Sequence, residues 1–179
     1  MASLDGQVFS CRREDRVLLR VVGRATASVC PELRHFAENC FADGVRRVGV
    51  DLGECTHFDS TFVGTLLFLK RRSSGGEEAG FALTAASPAC NVLLRKMAVA
   101  QLFPLVEDDN PGTDARWTEL NAELNPQRVS EFKQNIVDAH QELAKLNGSV
   151  GEQFKAVADA CSREHEQSNH SVRDCDKNH

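Results

Sequence analysis

The sequence predicts an α/β domain, a mixed β-sheet with helices mainly on one face, followed by a C-terminal helical extension. Three observations predict it. Strand-like and helix-like apolar patterns alternate through residues 1–110, the pattern of a sheet covered by helices. After the acidic run and turn Glu107-Asp108-Asp109-Asn110-Pro111-Gly112, only helical patterns occur. Hydrophobic residues make up 41% of the 179, which is enough for a packed core and excludes a disordered chain.

Each element has a local reason. Gln7–Arg12 reads as an edge strand. Arg16–Val22 is a short apolar, β-branched run ended by Gly23, and so a buried strand. Between Cys30 and Asp43, Leu33, Phe36, Ala37, Cys40 and Phe41 fall at helical spacing; Pro31 suits the first turn and Gly44 the stop. Arg47–Leu52 is the next strand. A helix from Ser60 to Arg72 turns Phe62, Val63, Leu66, Leu67 and Leu69 inward. It closes on Lys70, Arg71 and Arg72, cations that complement the helix dipole. Ser73–Glu78 is a Gly/Ser loop and Phe81–Ala85 a strand. Ser87 caps a helix that has Pro88 at its first position and runs to about Ala100. Leu102–Val106 forms a last short strand.

In the extension, Arg116–Leu124 reads as a short helix bearing the sole tryptophan, Trp117. Asn125-Pro126 opens a longer helix with Val129, Phe132, Ile136, Ala139, Leu143 and Leu146 in alternating steps of three and four, stopped by Asn147-Gly148. Ser149-Val150-Gly151-Glu152 matches a capping box, and the following helix carries Val150, Phe154, Val157 and Cys161. A helix with one apolar stripe cannot stand alone. Packing on the chain's own domain or as a hairpin is the first expectation, and dimerisation through the C-terminal helices the second. The division is therefore a domain at 1–110, a helical extension at 114–161, and a polar tail at 162–179 expected to be disordered.

Charge and cysteines narrow the function. Residues 1–110 carry 13 Lys+Arg against 14 Asp+Glu, and residues 111–179 carry 8 against 12, so most of the net charge of -5 lies in the extension. An acidic chain without a basic block excludes nucleic acid and anionic membranes as partners. The seven cysteines are odd in number and dispersed, with no CxxC pair, which argues against a disulfide framework or zinc module and for a reducing cytosol. MASLDGQVFSCRRED lacks the apolar run of a signal peptide, and no segment has the length of a membrane span. The expected location is the cytoplasm.

Asp51-Leu52 at a strand end, Asp59-Ser60-Thr61 opening a helix, Gly64 within it and Ser87-Pro88 opening the next helix together resemble the STAS domain, in its anti-sigma factor antagonist branch. The resemblance covers roughly residues 8–107. In phosphorylatable members, the serine after the Asp is the target of a partner kinase that is also the anti-sigma factor. The unphosphorylated form binds that kinase and releases the sigma factor. The resemblance thus implies Ser60 as phosphoacceptor, with Thr61 a secondary candidate, and the expected partner-binding residues are Asp59, Thr61 and Phe62 beside it. Two positions depart from the pattern. Phe62 stands where the family usually has Gly, and so also reads as a core residue of its helix. Gly23-Arg24-Ala25-Thr26 lacks an acidic residue common after that glycine.

Physical chemistry supports a site there. The N-terminal turn of a helix offers unpaired N–H groups and a positive dipole end, which tolerate a phosphate. Phosphorylation adds roughly -1.5 to -2 charges beside Asp59, enough to break an apposed contact. Other constellations are weaker. His57 lies near Ser60 without a G-x-S-x-G elbow. Gly75-Gly76 has no Lys-Ser/Thr sequel. His165, His170, Cys175 and His179 have no standard metal spacing. The expectation is a non-enzymatic regulatory protein without cofactor or metal, whose partner is a serine kinase/anti-sigma factor. The alternative is a constitutive scaffold or a nucleotide- or lipid-binding STAS module.

Overall fold

The computed structural model describes residues 6–73, 80–106, 115–120 and 126–175, with backbone alone at 126–129 and 167–175. Most of the expected Gly/Ser loop, the acidic break at 107–112, the Asn125 cap and the last four residues lie outside the described residues.

Strands β1 (Gln7–Arg13) and β2 (Arg16–Ala25) form an antiparallel hairpin in continuous register from Gln7↔Val22 to Arg13↔Arg16. Helix α1 (Cys30–Ala42) follows, with Pro31 in its first turn. It stops at Gly44, whose φ of +92° is open to glycine, while the Val45 N–H bonds back to the Cys40 carbonyl. β3 (Arg47–Leu52) runs parallel to β2, pairing Arg16–Arg20 with Arg47–Asp51. A short strand that the sequence patterns do not mark, β4 (Cys55–Phe58), pairs in parallel with the end of β2, from Gly23↔Cys55 to Ala25↔Phe58. Then come α2 (Ser60–Ser73), β5 (Phe81–Ala86), parallel to β3, and α3 (Pro88–Lys96). The sheet order is β5-β3-β2-β1-β6, with β4 beside β2, where β6 is Thr118–Glu119. It is the mixed sheet of the expected α/β class.

Several elements differ from expectation for identifiable reasons. The helix opened by Ser87 ends at Lys96, short of Ala100, and a 3-10 turn follows at Ala100–Leu102. Leu102–Val106 makes only one bridge, Leu83↔Leu105, because Pro104 has no N–H to extend a ladder. Arg116–Leu124 was expected to be helical, yet Thr118–Glu119 is a strand on the outer edge of β1. The open edge of β1 supplies partners a short isolated helix lacks, as in the Leu120 N–H to Val8 carbonyl bond of 2.8 Å.

The extension is a helical hairpin, α4 (Pro126–Ala144) and α5 (Ser149–Cys175). The Glu152 N–H bonds to the Gly148 carbonyl, so Gly148 holds the cap position expected for Ser149. Residues 162–175, expected to be disordered, continue α5. Beyond Gly151 the sequence has neither Gly nor Pro, and extending a nucleated helix costs far less than starting one.

The core is built from β1–β5, α1–α3 and the turn after them; Leu143 is the fully buried residue that the hairpin adds to it. α1, α2 and α4 contact one another, and α5 packs on α4. The apolar stripe of α4 is thus used in cis, with Val137, Ala139 and Leu143 buried. No described helix is long and apolar enough to cross a membrane.

Candidate functional site

The site forms where β2, β4 and α2 meet. The extra strand β4 delivers the chain to Asp59, whose N–H bonds to the Ala25 carbonyl at the end of β2. Asp59 then caps α2: Oδ1 accepts from the Phe62 N–H at 2.9 Å. Its other oxygen, Oδ2, accepts from the Ala27 N–H at 2.9 Å, tying the loop before α1 to the same point. Beneath lies Cys30, whose thiol donates to the Thr26 carbonyl; burial pushes its pKa up to about 12.

The motif's flanks are structural. Asp51 pairs with Arg20 across β2 and β3 at 2.9 Å and accepts from the Gly53 N–H. Ser87 donates to the Cys55 carbonyl at 2.6 Å and accepts from the Cys90 N–H, so the Ser-Pro pair fastens α3 to β4 as it caps it.

Two residues expected to meet a partner are inaccessible. Phe62 is fully buried, with its ring 6.1 Å from that of Phe58. It is a core residue, because position three of α2 faces the sheet. Thr61 is buried too, and its carbonyl accepts from Thr65. Asp59 is half-buried and committed to its two amides. Ser60 sits at the first position of α2 and is half-buried.

What covers Ser60 comes from the extension. Its Oγ lies 3.0 Å from Nε2 of His140 on α4. The other ring nitrogen, Nδ1, is 2.8 Å from the Ile136 carbonyl, which can only accept. Nδ1 therefore carries a proton and donates to that carbonyl, which turns Nε2 toward the Ser60 hydroxyl. His140 is buried, with Phe154 and Cys161 of α5 against it. The histidine at Ser60 is thus His140 and not the nearby His57. Sequence reasoning missed it across 80 positions, although its place four residues after Ile136 and three before Leu143 puts it on the inward stripe.

Around this bond α4 crosses α2 closely. A Cβ on Gly64 would lie 2.4 Å from the Ala139 carbonyl oxygen, so only glycine allows the approach. Arg34 of α1 pairs with Asp138 at 2.7 Å and lies over the Phe68 ring. Arg71 of α2 pairs with Glu142. A serine hydroxyl within hydrogen-bond distance of an imidazole resembles the start of a nucleophile and base pair. Here the imidazole's second partner is a backbone carbonyl, and α4 occupies the space over the hydroxyl. Among the described residues no group of three or more His, Cys, Asp and Glu is placed to hold a metal ion.

Comparison with known proteins places this scaffold. A family model described as "Mlab, STAS domain" matches residues 10–107, more than half of the chain. No curated protein matches the sequence. Among solved structures, the chain is similar to an anti-sigma factor antagonist from Mycobacterium paratuberculosis, at 20% identity and a TM-score of 0.49, over 63% of this chain and 92% of that one. It is also similar to the anti-sigma factor antagonist SpoIIAA in its unphosphorylated form, at 13% identity and a TM-score of 0.49, over 57% and 90%. With the motif and element order found in its own first hundred residues, the chain belongs to the STAS domain family.

Proposed function

We propose that this protein is a regulatory protein-binding module of the anti-sigma factor antagonist type, a partner switch controlled by phosphorylation of Ser60. It acts in the cytoplasm, carries no catalysis of its own, and takes a serine kinase/anti-sigma factor as its partner. One observation carries the reading: Ser60 opens α2 directly after the Asp59 cap, within the family's Asp-Ser-Thr pattern. The Ser60 oxygen takes the γ-phosphoryl of ATP, its proton passes to the kinase's base, and ADP leaves. The helix N-terminus tolerates the new dianion without unfolding the domain. An approaching carboxylate-bearing surface does not.

The test is intact-mass measurement after incubation with ATP and candidate serine kinases encoded beside the gene. Wild type is expected to gain one phosphoryl group and Ser60→Ala none. Equal gain in both, or none in either, rejects the switch. A second reading, a constitutive STAS scaffold or small-ligand module, is favoured by the Ser60 to His140 bond, which already gives the hydroxyl a structural use. Under that reading a nucleotide or lipid raises the melting temperature of unmodified protein.

A further inference from the structure

We propose that the α4–α5 hairpin is a built-in competitor for the docking face of α2, and that the partner presents a helix shaped like α4. The inference rests on the partner-switch reading and specifies its regulation. Four features support it.

The core cluster is drawn mainly from the strands and from α1–α3, while the hairpin adds Leu143 to it and packs Leu146, Val150 and Phe154 against it. The hairpin is therefore a layer laid over a core built mostly by the domain. Its crossing point is Ala139 on Gly64, where the Ala139 methyl lies against bare α2 backbone and any larger side chain on either helix would force the two apart. The flanking ion pairs, Arg34 with Asp138 and Arg71 with Glu142, are partly open to water, and the bond of Ser60 to the buried His140 is polar as well. Such pairs direct an interface more than they hold it shut. Finally, the cover lies on the residue whose access matters. With the His140 ring hydrogen-bonded to the Ser60 hydroxyl, a kinase reaches that oxygen only after α4 has moved.

The seated helix also shows what would replace it. Asp138 and Glu142 are one turn apart on α4, with Ala139 between them over Gly64. A partner helix with a small residue at the crossing and carboxylates four residues apart finds the same glycine and the same two arginines. Binding of that partner and closure of the hairpin exclude each other, so partner affinity is reduced by the fraction of chains that are closed.

Amide hydrogen exchange on the full chain tests the cover, together with a fluorescent peptide of residues 126–175 as a stand-in partner. In wild type the α4 amides are expected to exchange faster than those of β2 and β3, by opening below the global level. Ala139→Leu, which drives a side chain into Gly64, should raise α4 exchange at least about tenfold and leave β2 and β3 unchanged. The peptide should bind Ala139→Leu and not wild type, and Arg34→Glu with Arg71→Glu should abolish that binding. Should Ala139→Leu fail to fold, Asp138→Arg with Glu142→Arg opens the same contacts from the partly exposed side. The inference is overturned if wild-type α4 exchanges in step with β2 and β3, or if the peptide ignores the opened chain. No readout uses ATP or a kinase, so a failed phosphorylation test leaves these results intact, and the reverse holds too.

Discussion

Asp59 holds two segments with one carboxylate, the first turn of α2 through Phe62 and the loop before α1 through Ala27. Both donors are backbone amides in part-buried positions, and each loses its partner once the side chain is gone. Removing an N-cap typically costs about 1–2 kcal/mol, and the second abandoned amide adds to it. Asp59→Ala is expected to lower the unfolding free energy by about 2 kcal/mol in urea titration. A change below about 0.5 kcal/mol would show that the cap is dispensable. The same residues show what was legible. The Asp-Ser-Thr triplet before an apolar helix announces a cap and a site from local chemistry alone. His140 does not announce itself to Ser60, because the bond joins positions 80 apart and exists only once α4 has docked. Phe62 could be read two ways. Its place on the inward face of α2 makes it core, where it meets the Phe58 ring delivered by β4, a strand the sequence patterns do not mark.

Among elements, those with long periodic patterns and strong stops were readable. Helix α1 shows five apolar positions at helical spacing with Pro31 and Gly44 at its ends, and α2 and α4 are equally marked. Elements whose pairing comes from elsewhere were not: β4 has four residues, and β6 exists because β1 has a free edge. The buried face of α1 yields a pH prediction. Burial raises the Cys30 thiol from about 9 to about 12. Across that window the unfolded chain releases the proton while the folded chain keeps it, so stability falls as pH rises. Below about pH 9 the two states hold the proton alike, and the contribution is constant. At pH 10.5 the loss from Cys30 alone is about 2 kcal/mol, at about 1.36 kcal/mol per unit. Cys40 is raised by burial as well and adds in the same direction. Urea unfolding at pH 8 and 10.5 checks it. Cys30→Ala should lose about 2 kcal/mol less than wild type across that interval, and equal losses would assign the slope elsewhere.

For the whole molecule, the question is whether domain and hairpin unfold as one cooperative unit. Gly64 separates them. Placed mid-helix, glycine costs α2 about 0.8–1 kcal/mol relative to alanine. At that point the nearest atoms a Cβ would meet belong to Ala139, the closest at 2.4 Å. Gly64→Ala therefore strengthens the domain's own helix while pushing α4 away. If the hairpin were part of one packed core, the clash would lower the stability of everything together. If it is a cover, the two halves respond with opposite signs. Trp117 beside β6, held against Arg20 at 4.3 Å, reports the sheet edge by fluorescence, whereas far-UV circular dichroism is weighted toward helix. In wild type the two signals are expected to run close together, because α4 and α5 together bury Leu143 and His140. In Gly64→Ala the helical signal should fall at lower urea, since a detached one-stripe hairpin is marginal in water. The Trp117 midpoint should stay or rise slightly. Coincident curves shifted down together would mean that domain and hairpin are a single two-state unit. The extension would then be a fixed layer of the fold, and Ser60 would be exposed only by global unfolding.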